Sequence, residues 1–186
     1  MIDHARYAAA AREAVIAASI VCREVQDNLD KVRAMTKDDK SPVTIADLAS
    51  QAVVGMILKQ KLGEDLHLVA EEDSAFLRDE DNEMFLDATV AAVQTVWEGA
   101  TPNKVLDAID LGAGDTDHHS FWTLDPIDGT KGFLRNQQYA VALGFVEHAT
   151  PTIGVMGCPN LASDMSQPFD ERDDHGEGTR ENHLLE

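Results

Sequence analysis

Cysteine is scarce in this chain of 186 residues. Cys22 and Cys158 stand far apart and no C-x-x-C pair occurs, which excludes a disulfide-stapled scaffold. Aromatic residues make up only 5% of the sequence. Long apolar runs are missing as well. The stretch from Ala14 to Cys22 falls well short of the ~20 residues that a membrane-spanning helix needs. Positive charge is also in short supply, with 15 Lys and Arg against 34 Asp and Glu and a net charge of −19. Such a surface repels phosphate backbones and anionic lipid, so a general nucleic-acid or membrane binder is excluded. The opening Met1-Ile2-Asp3-His4 has no basic stretch of the kind that starts an export signal. With so little cysteine, the expected compartment is the reducing cytoplasm.

What is present is ordinary for a globular protein: 44% hydrophobic and 26% charged residues, in a length that suits one domain or one domain and part of another. The acidity is uneven. Residues 1–60 are neutral, residues 61–118 carry 3 basic against 15 acidic side chains, and residues 163–186 carry 2 against 8. Tyr7, Ala11, Val15, Ala18, Cys22, Val25 and Leu29 recur at helical spacing and predict an amphipathic helix. Ser41-Pro42 reads as a chain break, after which Thr44 would cap a second helix running to about Lys61, with Ala49, Val53 and Ile57 on its buried face. Residues 66–70 read as a buried strand ending at Glu71. Residues 83–97 and 103–109 read as helices, and 121–124, 139–146 and 152–156 as strands. From Ser163 onward no periodicity survives, so 163–186 is expected to be an acidic, disordered tail on a domain spanning 1–162.

The chemistry is concentrated in Asp125-Pro126-Ile127-Asp128-Gly129-Thr130-Lys131-Gly132, directly after a predicted strand. Two carboxylates three residues apart can converge on one cation, and the Ile127 carbonyl between them can add a hard oxygen. Gly129 permits close backbone approach, and a helix starting there would offer the Gly129 and Thr130 amides to an anion. A cation beside a phosphate cradle serves metal-assisted phosphoryl transfer. Alone, the string reads equally well as a capped surface turn, because Asp, Pro and Gly are the commonest turn formers. Glu71-Glu72-Asp73 closes a buried strand, and Asp47 stands early in a helix. Singly these are a solvated charge run and a residue that favours the helix dipole.

Together they resemble a family. Asp39-Lys40-Ser41-Pro42-Val43-Thr44-Ile45-Ala46-Asp47, Ala70-Glu71-Glu72-Asp73-Ser74, Asp125 to Leu134 and Cys158-Pro159-Asn160-Leu161 occur in the order and spacing of the inositol monophosphatase-like, Mg2+-dependent, lithium-sensitive phosphatases. Lys131-Gly132-Phe133 is similar to the 3'(2'),5'-bisphosphate nucleotidase branch. The resemblance implies an α+β, layered sugar-phosphatase-type fold with a largely antiparallel sheet. It implies Mg2+ ligation by Glu71, Asp125 and Asp128 through their side chains and by Ile127 through its carbonyl. It implies that Thr130, paired with Asp47, positions or deprotonates the attacking water, and that the Gly129 and Thr130 amides hold the phosphate. The implied substrate is a small phosphate monoester, 3'-phosphoadenosine 5'-phosphate, with inositol phosphates or other sugar phosphates as the alternative class. Ala70 departs from the usual glycine of the family. The family's second α/β domain, with its further metal-binding aspartate, has no counterpart after Leu161. The chain therefore reads as a truncated first domain whose phosphatase activity is expected to be impaired by the truncation, and a non-catalytic metal-binding or interaction fragment is the competing expectation.

Other motifs carry less. Asp79 to Glu83 lacks the glycine that a calcium loop needs at its sixth position, where Met84 stands. Gly112-Ala113-Gly114 follows no predicted strand and reads as a loop. His118 and His119 should point apart, and Cys22, Trp97 and Trp122 read as core packing. Asp125 and Asp128 are separated by two residues, which disfavours the D-x-D phosphoaspartate mechanism.

Overall fold

The computed structural model describes residues 2–30, 41–161 and 184–185. Asp39 and Lys40 of the first string, and most of the expected tail, lie outside the described residues. Helix α1 (His4–Asp27) is capped by Asp3, whose carboxylate accepts from the Arg6 N–H at 3.1 Å. Its buried stripe is the one the spacing predicts: Ala11, Val15, Ala18, Cys22 and Val25 are all buried.

Helix α2 (Ser41–Leu62) begins earlier than expected. Pro42 does not break the chain. It stands in the first turn, where the missing N–H costs nothing because first-turn amides have no partner inside the helix. Thr44 is thus a helical residue rather than the cap, and Asp47 lies in the second turn. The helix is buried on nearly all sides, with Ala46, Leu48, Ala49, Ala52, Val53, Val54 and Leu58 at 1% exposure or less. It runs through the middle of the molecule, packed against α1, β2, and helices α4 (Glu83–Gln94) and α5 (Pro102–Ile109). A short α3 (Ala75–Arg78) precedes α4, and the acidic run between them is an exposed 3-10 turn, Glu80–Asn82, capped by Asp79.

One sheet orders its strands β1-β2-β3-β4-β5: Leu68–Val69, Ser120–Asp128, Ala140–Glu147, Thr150–Gly157 and Leu184–Leu185. The pairing of β1 with β2 is parallel and the rest is antiparallel. The α+β architecture with a largely antiparallel sheet is therefore as expected. Within the segment read as tail, Leu184 and Leu185 pair with Gly157 and Met156 on the outer edge of β4. Trp122 is 2% exposed and stacks on Tyr7 and Phe145, with centroids 5.7 and 4.8 Å away, so it is core as read. Trp97, half-buried, packs against the same core. The two adjacent histidines do point apart: His118 stacks on His67 at 3.5 Å, and His119 faces His148 at 5.4 Å.

The structure corrects one local reading that matters for the site. Strand β2 does not stop before Asp125 but runs through Asp125, Pro126, Ile127 and Asp128. Pro126 has no N–H to give to the ladder, and the register with β3 shifts between Asp125 and Asp128. The irregularity is held from two sides. The Asp125 carboxylate accepts from the Ile127 N–H at 3.2 Å, and the Ser50 hydroxyl of α2 donates to the Pro126 carbonyl at 3.2 Å.

Candidate metal and phosphate site

The parallel pairing of β1 and β2 sets the site. Leu68 pairs with Trp122 and Val69 with Thr123, where β1 ends. Just beyond that end the chain brings the charge of Glu71 to bear on Asp125, in the second half of β2, on the side of the sheet where ligands of α/β folds gather. Asp47 reaches the same place from α2. Burial pushes its carboxyl up to about 8, and the neighbouring charges of Glu72, Asp125 and Glu71 add to the shift. Burial also raises the Asp125 carboxyl, reinforced by Glu71 and Asp128, against a smaller downward pull from the Ile127 N–H. Glu72 is raised by burial and by Glu71 and Asp73 on either side.

Asp47, Glu71, Asp125 and Asp128 therefore occupy one field, with Asp125 feeling both of the other expected metal-binding carboxylates. Ile127 is buried between Asp125 and Asp128, at 4% exposure. The donors are all hard oxygens, and uncompensated negative charge is gathered among them, which fits Mg2+ in kind. Among the described residues, no three His, Cys, Asp or Glu side chains are arranged as a closed ion-binding set. The carboxylates are neighbours in a common potential rather than a finished cage.

Past Asp128 the chain turns sharply. Gly129 has φ +96°, a left-handed conformation that a side chain would strain, and it precedes the five-residue helix α6 (Thr130–Leu134). The Gly129 carbonyl accepts from the Gly132 and Phe133 N–H groups at 2.8 and 3.1 Å. This leaves the amides at the start of α6 outside the helical ladder, where an anion could use them. Thr130 is exposed. The structure shows no hydrogen bond between Thr130 and Asp47 among the described residues, so the expected pair is not joined here.

Two residues of the site escaped the sequence reading. Ser50 and Gln51 are fully buried, at 0% exposure, in the middle of an otherwise apolar helix. Gln51 donates to the Glu72 and Ile109 carbonyls at 2.6 and 2.8 Å and accepts from the Glu72 N–H at 3.0 Å. The signal was available: a Ser-Gln pair inside a run of apolar residues is costly to bury unless it is hydrogen-bonded.

The raised Asp47 carboxyl makes stability depend on pH. A carboxyl with a folded pKa of about 8 and an ordinary unfolded value binds a proton more tightly in the native state. Its relative contribution is complete below pH ~4 and is lost as the pH rises to about 8. Thermal melts without divalent cations should show a midpoint that falls across this window. Asp47→Asn should flatten the fall, and an unchanged slope in that variant would assign the effect to the general acidity of the surface.

Comparison with known proteins shows the family to which the chain is related. Residues 5–177 match the inositol monophosphatase family. The chain is 44% identical over 164 residues to 3'(2'),5'-bisphosphate nucleotidase 1 of Arabidopsis thaliana, covering 82% of this chain and 46% of that protein. It is 42% identical over 163 residues to 3',5'-bisphosphate nucleotidase 2 of the same plant, covering 82% and 47%. It is 41% identical over 170 residues to the 3'(2'),5'-bisphosphate nucleotidase of Schizosaccharomyces pombe, covering 83% and 47%. The chain thus spans somewhat under half the length of these relatives.

Proposed function

The chain belongs to the inositol monophosphatase family, and from that membership we propose that it carries the metal- and phosphate-binding part of a Mg2+-dependent phosphomonoesterase. The proposed substrate is 3'-phosphoadenosine 5'-phosphate, converted to AMP and phosphate. Three relatives named as bisphosphate nucleotidases, 41–44% identical, support the substrate class. The observation that carries the chemistry is that the charges of Glu71 and Asp128 both bear on Asp125.

In this reading residues 1–162 form the working unit, and Glu71, Asp125, Asp128 and the Ile127 carbonyl hold the metal. Bound Mg2+ supplies Lewis-acid stabilisation of the phosphoryl oxygens and acidifies water. The chain's own groups do the rest. The amides of Gly129 and Thr130 orient the phosphate at the open turn of α6. Asp47 takes a proton through the Thr130 hydroxyl, because an alcohol is a poor base unless a carboxylate accepts its proton. Closing the gap between those two side chains is the rearrangement that substrate binding must bring about. Two free cysteines accord with a cytoplasmic location in this proposal. No helix among the described residues is long and apolar enough to cross a membrane.

The test is phosphate release by a protein carrying this chain, from 3'-phosphoadenosine 5'-phosphate and from inositol 1-phosphate, with and without Mg2+. Mg2+-dependent release from the nucleotide is expected to be the faster. A reversed preference would move the substrate to the sugar-phosphate class, and release from neither would overturn the reading.

A further inference from the structure

Between Val69 and Ala75 the chain carries Glu71 without the support of a strand, yet it is stitched down at every second residue. The Ala70 N–H donates to the Gly112 carbonyl at 2.9 Å. Glu72 is bracketed on both its N–H and its C=O by the Gln51 side chain. The Ser74 N–H and hydroxyl donate to Asp110 at 3.1 and 2.8 Å, and Arg78 donates to the same carboxylate at 2.7 Å. The alternation leaves Glu71 and Asp73 exposed while Ser74 is buried. Gln51 is the central stitch, with two N–H bonds donated and one accepted. Gly112 makes room for it, since a Cβ there would stand 2.5 Å from the Gln51 amide nitrogen.

Its neighbour does the corresponding work for the other segment. Ser50 holds the Pro126 carbonyl between Asp125 and Ile127. Asp47, Ser50 and Gln51 fall within five positions of one helix, at i, i+3 and i+4, and so lie on one side of it. A single turn of α2 therefore reaches the base, the β2 end and the Glu71 segment together.

We propose that Gln51, aided by Ser50, is a positioning residue that sets the distance between Glu71 and the Asp125–Asp128 pair by tying both segments to α2. The proposal rests on the metal-binding reading of those carboxylates. The oxygens that receive the ion are those of the Glu71, Asp125 and Asp128 carboxylates and the Ile127 carbonyl, and Gln51 acts only through the backbone it grips. Groups that orient the primary ligands commonly shift metal affinity by 10–100-fold when removed.

The experiment measures Mg2+ binding to the full 186-residue chain by titration calorimetry, beside the metal-free thermal midpoint. Gln51→Leu is expected to weaken Mg2+ binding roughly tenfold or more. Leu58→Ala, which opens a cavity in the same helix, should lower the midpoint and leave Mg2+ affinity at the wild-type value. Amide exchange at Glu72 should accelerate in Gln51→Leu and stay slow in Leu58→Ala. If Gln51→Leu does not fold, Gly112→Ala decides, because its methyl crowds the Gln51 amide and the Ala70 side chain together and so loosens the grip on the Glu71 segment without removing the amide. Wild-type Mg2+ affinity in a folded Gln51→Leu, or in Gly112→Ala if that is the variant used, overturns the positioning role. Absence of Mg2+ binding in the wild-type chain, or binding that Asp125→Asn leaves intact, overturns the metal reading and this inference with it.

Discussion

Saturating Mg2+ should raise the thermal midpoint of the wild-type chain by about 5–10 °C and leave Asp125→Asn essentially unmoved. The metal-free chain gathers Asp47, Glu71, Glu72, Asp125 and Asp128 in one place, and burial, reinforced by their mutual repulsion, raises the carboxyls of Asp47 and Asp125. A ligand that binds only the folded state stabilises it by RT ln(1 + [L]/Kd), or about 2.7 kcal/mol at a hundred times Kd. In a chain of this size each kcal/mol moves the midpoint by roughly 2–4 °C. Asp125 is chosen because it is flanked by the charges of both Glu71 and Asp128. Replacing it relieves part of the repulsion, so the variant should start from a metal-free midpoint no lower than that of the wild type while losing the response. A full Mg2+ response in Asp125→Asn would remove Asp125 from the ligand set.

In a protein competent for turnover, Asp47→Asn should lower kcat by roughly 10²–10⁴-fold with little change in the Mg2+ dependence. Asp47 approaches from α2, whereas the proposed ligands come from the ends of β1 and β2. Burial and three neighbouring acids push its carboxyl up to about 8, so much of it is protonated at neutral pH while no cation is bound. A proton acceptor must be ionised to act, and a divalent cation beside it favours the ionised form. The rate should therefore rise with pH through the Asp47 titration, and that limb should disappear in Asp47→Asn. Asp128→Asn, by contrast, should raise the Mg2+ concentration needed for half-maximal rate. Equal shifts of Mg2+ dependence in the two variants would make Asp47 a ligand or a structural group and end the division of roles.

The helical stripes were legible because a period of 3.6 is local: Ala11, Val15, Ala18 and Cys22 are buried together as their spacing requires. The candidate site strings stood out because several of them occur together in one family's order and spacing, whereas each alone reads as a turn or a solvated charge run. The start of α2 was not legible. Pro42 signals a break in the middle of a helix and is tolerated in its first turn, and nothing local says which applies. The extent of β2 was hidden for a similar reason. Proline argues against a central strand, but here a register shift and the Ser50 hydroxyl accommodate it.

By itself the sequence singled out, through its resemblance to a family, the candidates for chemistry, Asp47, Glu71, Asp125, Asp128 and the Gly129-Thr130 turn, together with an acidic surface unsuited to polyanions. It also determined the helices that carry and cover them, since side-chain period and capping act within a few residues. The tertiary structure alone decided that Glu71 comes close enough for its charge to act on Asp125. That outcome follows from a parallel register between strands about fifty residues apart, which no local pattern encodes. It also decided that Gln51 and Ser50 hold the two segments at one turn of α2. A buried amide must find partners, but which carbonyls it finds depends on how helix, loop and strand come together in three dimensions.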